Sequence, residues 1–591
     1  IKILGFLIME KIAGTQKNYI FPIIIAIFAV LSYGRVWLFR NVMWDDNCWL
    51  LSIYSSKNLA DFLNTGWYEL RRVPLGTFFY YFFDLYKNTN YFYEVWHFIN
   101  TITQVVTPIF LYFFIANLFI GKRLLGFFIA ISYVLFPLDY TLPYASGINY
   151  RIGMMLGVIS FYFTERGLAK ENIRWLYLLV ALLLAGLSHY VFIEGTIIFE
   201  PARLFVIGYI LGRKKSTHSI LWKKLMALWF PFFLICIPLV FYKLIFRPYG
   251  IYENLYKLDP FFFLNWKLNM KTLAYLLFFH WLIFVKNIAY VKLASFLAGI
   301  LSVFLSLWFL GRLRGRILAL EGLSSRGNML LIKDSFKEQW LSVKAPFFLG
   351  VILLSFTIAF LNFTGREIAR GMNSSHGSIA QFGYSIIIGT FLYLVFKIFL
   401  NFKNKIRAFV ILTSIFFGAG VFFNNMNLDL YFNSWHEQNK FIKAFVSRFP
   451  TLPNNAQFMI DASDNAQYYT QLDNYYKLEF LINLYYARDA DPHKFRNYAV
   501  YSIEEFNLNP DMVILKNSRN VTFSRYTHLG KETIDSEDLI ILTYKNDELL
   551  VNREVLNKYP DAPYREWADK SFPVLPQAVQ YSLRHKLRLN E

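Results

Sequence analysis

Apolar residues run along this chain in blocks of about twenty, each closed by a short cluster of charge. A helix of about twenty residues rises roughly 30 Å, the thickness of a bilayer's hydrocarbon core. The first block, 19–39, follows Lys11 and Lys17. The second begins near His97 and ends at Gly121-Lys122-Arg123, the third runs to Pro137, and the fourth ends at Glu165-Arg166. The fifth and sixth meet in a tight turn near 188–190, and the sixth closes at Gly212-Arg213-Lys214-Lys215. Further blocks occupy 225–246, 291–310, 346–361 and 384–399, and a last one ends near Phe423. The pattern predicts a polytopic α-helical membrane protein with about eleven spans.

Charge orients the spans. Counting 261–285 as one more span would put 311–344 outside, with seven Lys/Arg against three Asp/Glu. Basic loops stay in the cytoplasm, so 261–285 is read as interfacial or re-entrant, as its Asn265, Lys267, Asn269, Lys271 and His280 suit. The same rule places the amino terminus in the cytoplasm and the loops 40–96 and 362–383 outside. The first block lacks a small-residue cleavage site and reads as an uncleaved span. The expected location is the inner (cytoplasmic) membrane, crossed many times.

From 425 onward the pattern changes. Strands are predicted at 457–462 and 498–502, a helix at 469–486, and a hairpin pairing 538–544 with 548–552 around Asn546-Asp547. The chain thus divides into a transmembrane domain, 1–424, and a soluble extracytoplasmic α/β domain, 425–591.

Composition agrees with this division. Hydrophobic residues make up 56% and charged residues 17%, where soluble domains carry about 25% charged residues. The net charge of +20 is uneven: 19 Lys/Arg face 22 Asp/Glu in 425–591, leaving 41 against 18 in 1–424. Basic residues in short clusters between apolar blocks read as cytoplasmic loops and not as a nucleic-acid surface. The two cysteines, Cys48 and Cys236, fall in different environments, which argues against a disulfide and against a cysteine metal site.

Candidate chemistry gathers in the outer loops. Trp44-Asp45-Asp46-Asn47 opens the first, and paired carboxylates at a membrane boundary suit a general base or, equally, a solvated turn. Glu69-Leu70-Arg71-Arg72-Val73-Pro74-Leu75 reads either as a helix start or as an anion-binding segment. The next loop offers Asp139, Tyr140, Tyr144, Asn149, Tyr150 and Arg151, a composition that suits a sugar as well as an interfacial aromatic belt. Glu194 lies just inside the sixth span after Ser188-His189-Tyr190 and is a functional candidate. Glu200 and Arg203, three apart, read as a structural pair. In 362–383, Arg366 and Arg370 share a helical face near His376, on the side where arginine is disfavoured. Paired guanidinium groups bind phosphate, and a lipid phosphate is the natural ligand there; headgroup binding without catalysis is the plainer reading. Asp489-Ala490-Asp491 is a lone DxD.

The order of these elements resembles the GT-C superfamily of integral membrane glycosyltransferases. An acidic pair opens the first outer loop, Arg72-Val73-Pro74-Leu75 is followed by Trp96-His97-Phe98-Ile99-Asn100, and Ser188 precedes Glu194. The resemblance covers about residues 18–424. It implies inverting transfer of a sugar from a polyprenyl-phosphate donor to a glycan, lipid or protein acceptor at the outer face, with no cofactor and no metal ligands assigned. By position, Asp45 would be the base and Asp46 its support or partner. Arg366 and Arg370 would hold the leaving phosphate. Asp139 would match the second acidic position, with Arg71, Arg72, Tyr144, Glu194 and His376 lining the substrates. The rival readings are a surface-glycan polymerase or ligase using a lipid-diphosphate donor, and a non-enzymatic transporter or scaffold.

Overall fold

In the computed structural model, helices stand at every predicted span. The structure describes residues 19–63 apart from 41 and 44, 73–214 apart from 121, and 218–245. It further describes 291–320, 336–364, 377–400, 406–449, 457–462, 475–487, 499–502, 522–527, 530–535 and 539–551, with isolated positions at 267, 271, 274 and 288. The segment 261–285, read as interfacial, therefore lies almost wholly outside the described residues.

Among the described residues nine helices are long and apolar enough to cross a membrane. The bundle is built from α1 (Ile20–Tyr33), α5 (Phe92–Leu118), α6 (Arg123–Leu135), α7 (Ile148–Leu168), α8 (Trp175–Gly186), α9 (Phe199–Gly212) and α10 (His218–Ile245). It is completed by α11 (Leu293–Leu320), α12 (Phe336–Phe363), α13 (Gly377–Leu400) and α14 (Ile406–Arg448). Two of these fall outside the nine. Helix α6 is apolar but only 13 residues long, and α7 carries Arg151, Glu165 and Arg166. Apolar stripes at helical spacing face outward, such as Ile20, Ile23, Ile27 and Val30 on α1, while Arg203, Ser302 and Asn425 are buried. That inversion of the soluble pattern is what a lipid solvent selects.

Helix α14 runs through the boundary drawn at 424/425 and ends at Arg448. At 43 residues it is about 65 Å long, so roughly half projects beyond a hydrocarbon core. The apolar pattern fades at Asn424-Asn425 because the helix changes solvent, while its backbone continues unbroken. A buried knot holds it there. Asp429 accepts from Arg35 Nη2 at 2.7 Å, from the Lys292 backbone N–H at 2.8 Å and from Ser295 Oγ at 2.5 Å, joining the 3₁₀ turn that follows α1 (Gly34–Leu38) to α11 and α14.

Beyond α14, strands β1 (Gln457–Asp461), β2 (Ala499–Ser502), β5 (Leu539–Lys545) and β6 (Glu548–Val551) form one sheet in the order β2-β1-β5-β6. Strand β1 is parallel to both neighbours, and α15 (Tyr475–Ala487) supplies the crossover to β2. The β5–β6 pair is the predicted hairpin, with Asn546 and Asp547 at φ of 53° and 62°, where Asn and Asp are the best-tolerated side chains after glycine. A separate hairpin, β3 (Thr522–Thr527) with β4 (Gly530–Asp535), was not expected.

The sheet does not stand alone. One apolar core contains Phe458, Ile460 and Val500 from the sheet, and Phe441, Phe445 and Phe449 from or just beyond α14. It also holds Leu50, Ile53, Phe62, Phe79 and Phe83 from α2 (Asp45–Ser55), α3 (Leu59–Leu63) and α4 (Val73–Asn88) of the first loop. Lys440 of α14 adds an ion pair at 3.0 Å to Asp547 in the β5–β6 turn.

Candidate functional site

The first loop turns into α2 at Asp45, whose backbone begins the helix; its side chain lies outside the described residues. Its neighbour Asp46 is fully buried. One carboxylate oxygen accepts from the Met43 N–H at 3.4 Å and the Ala145 N–H at 3.1 Å, the other from the Ser146 N–H at 2.7 Å. An acid in the first turn suits the exposed N–H groups of a helix start. This one also reaches across a hundred residues to clasp the second loop. Burial pushes its pKa up to about 6, with the three N–H donors opposing that rise. Asn47 beside it is as enclosed, and its amide nitrogen has no hydrogen-bond partner among the described residues, which leaves a donor for water or a ligand.

The second loop, 137–147, is wound around polar side chains. Asp139 accepts from the Thr141 N–H at 2.8 Å and hydroxyl at 2.5 Å, and burial raises its pKa despite the nearby guanidinium of Arg151. Asn100, on α5, donates to the Leu142 carbonyl at 3.3 Å and accepts from Arg151 at 2.8 Å. Tyr144 is buried with its ring 5.6 Å from that of Tyr431 on α14, so it packs the loop against the projecting helix.

Between α8 and α9 the chain departs from α-helix. A π-helical turn, Leu187–Phe192, leads through extended Ile193 into a 3₁₀ turn, Glu194–Ile198. Such breaks at membrane depth need their freed backbone groups satisfied from within the protein. Ser188 Oγ donates to the Gly153 carbonyl at 2.7 Å, and Thr196 Oγ1 lies 2.9 Å from Ser188 Oγ and 2.8 Å from His189 Nδ1. His189 Nε2 is 3.1 Å from Glu200, which accepts from Arg203 Nε at 2.6 Å. The Arg203 guanidinium sits between the rings of Phe161 and Phe232, 4.5 and 4.2 Å from their centroids. Glu200 and Arg203 are therefore the structural pair the spacing predicts, and they lock the break that holds buried Glu194.

The roots of the 362–383 loop meet both segments. A Cβ on Gly377, at the start of α13, would stand 2.2 Å from the Leu138 carbonyl oxygen, so only glycine permits this contact. One turn on, Gln381 accepts from the Leu138 N–H at 2.5 Å and donates to the carbonyls of Tyr133 and Phe136 at 3.0 and 3.1 Å. A Cβ on Gly195 would meet Ile379 at 2.3 Å and Phe360 at 3.4 Å, which puts the break between the two roots. Asn149 donates to the Phe192 carbonyl at 3.1 Å, and Phe78 of α4 touches Phe192 at 5.2 Å between ring centroids.

Asp46, Asp139, Tyr144 and Glu194 thus belong to segments that converge at one end of the bundle. Arg71, Arg72, Arg366, Arg370, His376 and the Asp489-Ala490-Asp491 triplet lie outside the described residues. The residues missed by the sequence reading are Asn100 and Gln381, and the organising role of Arg151. Their only signal was a polar side chain near the end of an apolar block. Among the described residues no three His, Cys, Asp or Glu gather as metal ligands would. Comparison of the chain with known protein families, with characterised proteins and with solved structures finds no match.

Proposed function

We propose that this membrane protein is an inverting glycosyltransferase of the GT-C kind, moving a sugar from a polyprenyl-phosphate donor to an acceptor hydroxyl at the extracytoplasmic face. One observation supports the reading above others: four segments far apart in sequence meet at one end of the bundle. They are the Asp45-Asp46 helix start, the Asp139 loop, the Glu194 break and the roots of the Arg366/Arg370 loop. A transfer site at a membrane surface needs an acid-bearing wall and a phosphate-holding wall; the acid-bearing segments meet the roots of the loop to which the second role is assigned.

In this reading Asp45 takes the proton of the acceptor hydroxyl as its oxygen attacks the anomeric carbon. The bond from that carbon to the lipid phosphate breaks, and negative charge grows on the phosphate. Arg366 and Arg370 receive that charge in paired hydrogen bonds, with Arg71, Arg72 and His376 as further contacts. Asp46 spends its oxygens on three backbone N–H groups, so it serves as the clasp that sets Asp45 in place. Asn47 offers its amide to a substrate hydroxyl, and the second acid, Asp139, is steadied by Arg151. The sheet beyond α14 belongs to the extracytoplasmic part, and its core shared with the first loop steadies the wall that carries Asp45.

Purified protein in lipid nanodiscs, given radiolabelled polyprenyl-phosphate sugars and an envelope acceptor, tests the reading. Wild type should transfer label, and Asp45→Ala should lose about 10²–10⁴-fold. Equal transfer by both would move the chemistry elsewhere and favour the lipid-diphosphate polymerase; no transfer by wild type would leave the transporter or scaffold.

A further inference from the structure

One buried guanidinium organises the whole second loop. Arg151 Nη1 donates to Asn100 Oδ1 at 2.8 Å and to the Tyr144 carbonyl at 3.4 Å, and Nη2 donates to the Thr141 carbonyl. Its Nε lies 3.9 Å from the Asp139 carboxylate. Positions 139, 141 and 144 are successive corners of the loop, so their places are fixed relative to one side chain. Asn100 anchors that side chain to α5 and holds the Leu142 carbonyl between two of the corners. Immediately past the last corner, Ala145 and Ser146 turn their N–H groups to Asp46.

We propose that Arg151, braced by Asn100, is the positioning residue that shapes 139–146 to receive the Asp46 carboxylate, and thereby sets the stance of Asp45. The inference rests on the reading of Asp45 as the base. The geometry needs a planar group with five donors in a fixed fork; a lysine has the charge but presents one ammonium on a flexible stem. The titratable groups that act on the guanidinium are Asp139 and Asp46 from the two loops, Tyr431 from α14 and Tyr33 from α1. Asp139 and Asp46 both accept hydrogen bonds from this loop, and Asp46 is the one that reaches it from another segment, at the start of α2.

The test is a double-mutant cycle in nanodiscs with Arg151→Lys, Asp46→Asn and the pair, read as the thermal midpoint from pH 4 to 8 and as kcat and donor KM. In the wild-type background, Arg151→Lys should move the pH-dependent part of the thermal midpoint to higher pH, because a loosened loop withdraws N–H donors from the carboxylate. In the Asp46→Asn background that movement should shrink to what Asp139, the other carboxyl beside Arg151, contributes. The same substitution should lower kcat by about tenfold or more while donor KM changes by less than about threefold. Additive effects at every pH would overturn the inference, as would a fall confined to donor KM. If no variant and no wild type transfers sugar, the coupling in the thermal data still decides the role of Arg151, while the reading of Asp45 falls by itself. Should Arg151→Lys fail to fold, Asn100→Ala removes the brace with Arg151 in place and carries the same cycle.

Discussion

A carboxylate as enclosed as Asp46 titrates with its surroundings. Burial raises its pKa from 3.8 to about 6, so between those values the folded chain binds this proton more tightly than the unfolded chain does. Its contribution to stability is full below about pH 4 and is lost as pH rises through 6, a change of about 3 kcal/mol. The thermal midpoint should therefore fall across that window in the wild type, and fall less in Asp46→Asn. Identical profiles would show that the carboxylate is not enclosed as described. The catalytic consequence runs the other way: three N–H donors call for the ionised form, so transfer should decline as pH drops below about 6.

At the scale of elements, the broken hairpin between α8 and α9 depends on its polar lock. Arg203 is fully buried with Glu200, Thr164 and two rings around it. Removing one partner of such a pair leaves an uncompensated charge, at about 3–5 kcal/mol. Arg203→Ala should lose that much stability in chemical unfolding. Thr196→Val, which removes one hydroxyl shared by Ser188 and His189, should cost about 1–3 kcal/mol. An Arg203→Ala protein as stable as wild type would contradict the lock. Much at this scale was legible in the sequence: the helices followed from apolar blocks, and the Asn546-Asp547 hairpin from its turn residues. The far half of α14 was not, because the apolar pattern ends at Asn424-Asn425 although the helix runs on, with Asn424 bonded to α6, Asn425 to α1 and Asp429 to α11. Asn100 and Gln381 stand in the sequence as single polar residues, because their partners lie 42 to 248 positions away; Arg151 turns back on a loop only 7 to 12 positions before it, but its brace, Asn100, is 51 away.

For the whole molecule, one helix crosses the line drawn at 424/425. The first loop and the strands after α14 share one core, so neither is complete without the other. Cys48 is a native reporter of that core: it is a buried cysteine on α2. In a Cys236→Ser background, Cys48 should resist maleimide in the full-length protein and react readily in a chain ending at 449. Equal protection in both would mean that the carboxy-terminal segment is an independent appendage. The charge is uneven, +23 in 1–424 against −3 beyond; on the proposed orientation the basic loops make the cytoplasmic, basic end of the bundle.

The most direct test of the central claim is a cryo-EM structure of the full-length protein in nanodiscs with polyprenyl phosphate added. The account predicts the lipid phosphate at the end of the bundle where Asp46 clasps the second loop. It should lie within hydrogen-bond reach of Arg366 or Arg370, with Asp45 across from it. A phosphate bound at the basic end, or a lipid bound with those arginines turned away from it, would contradict the account.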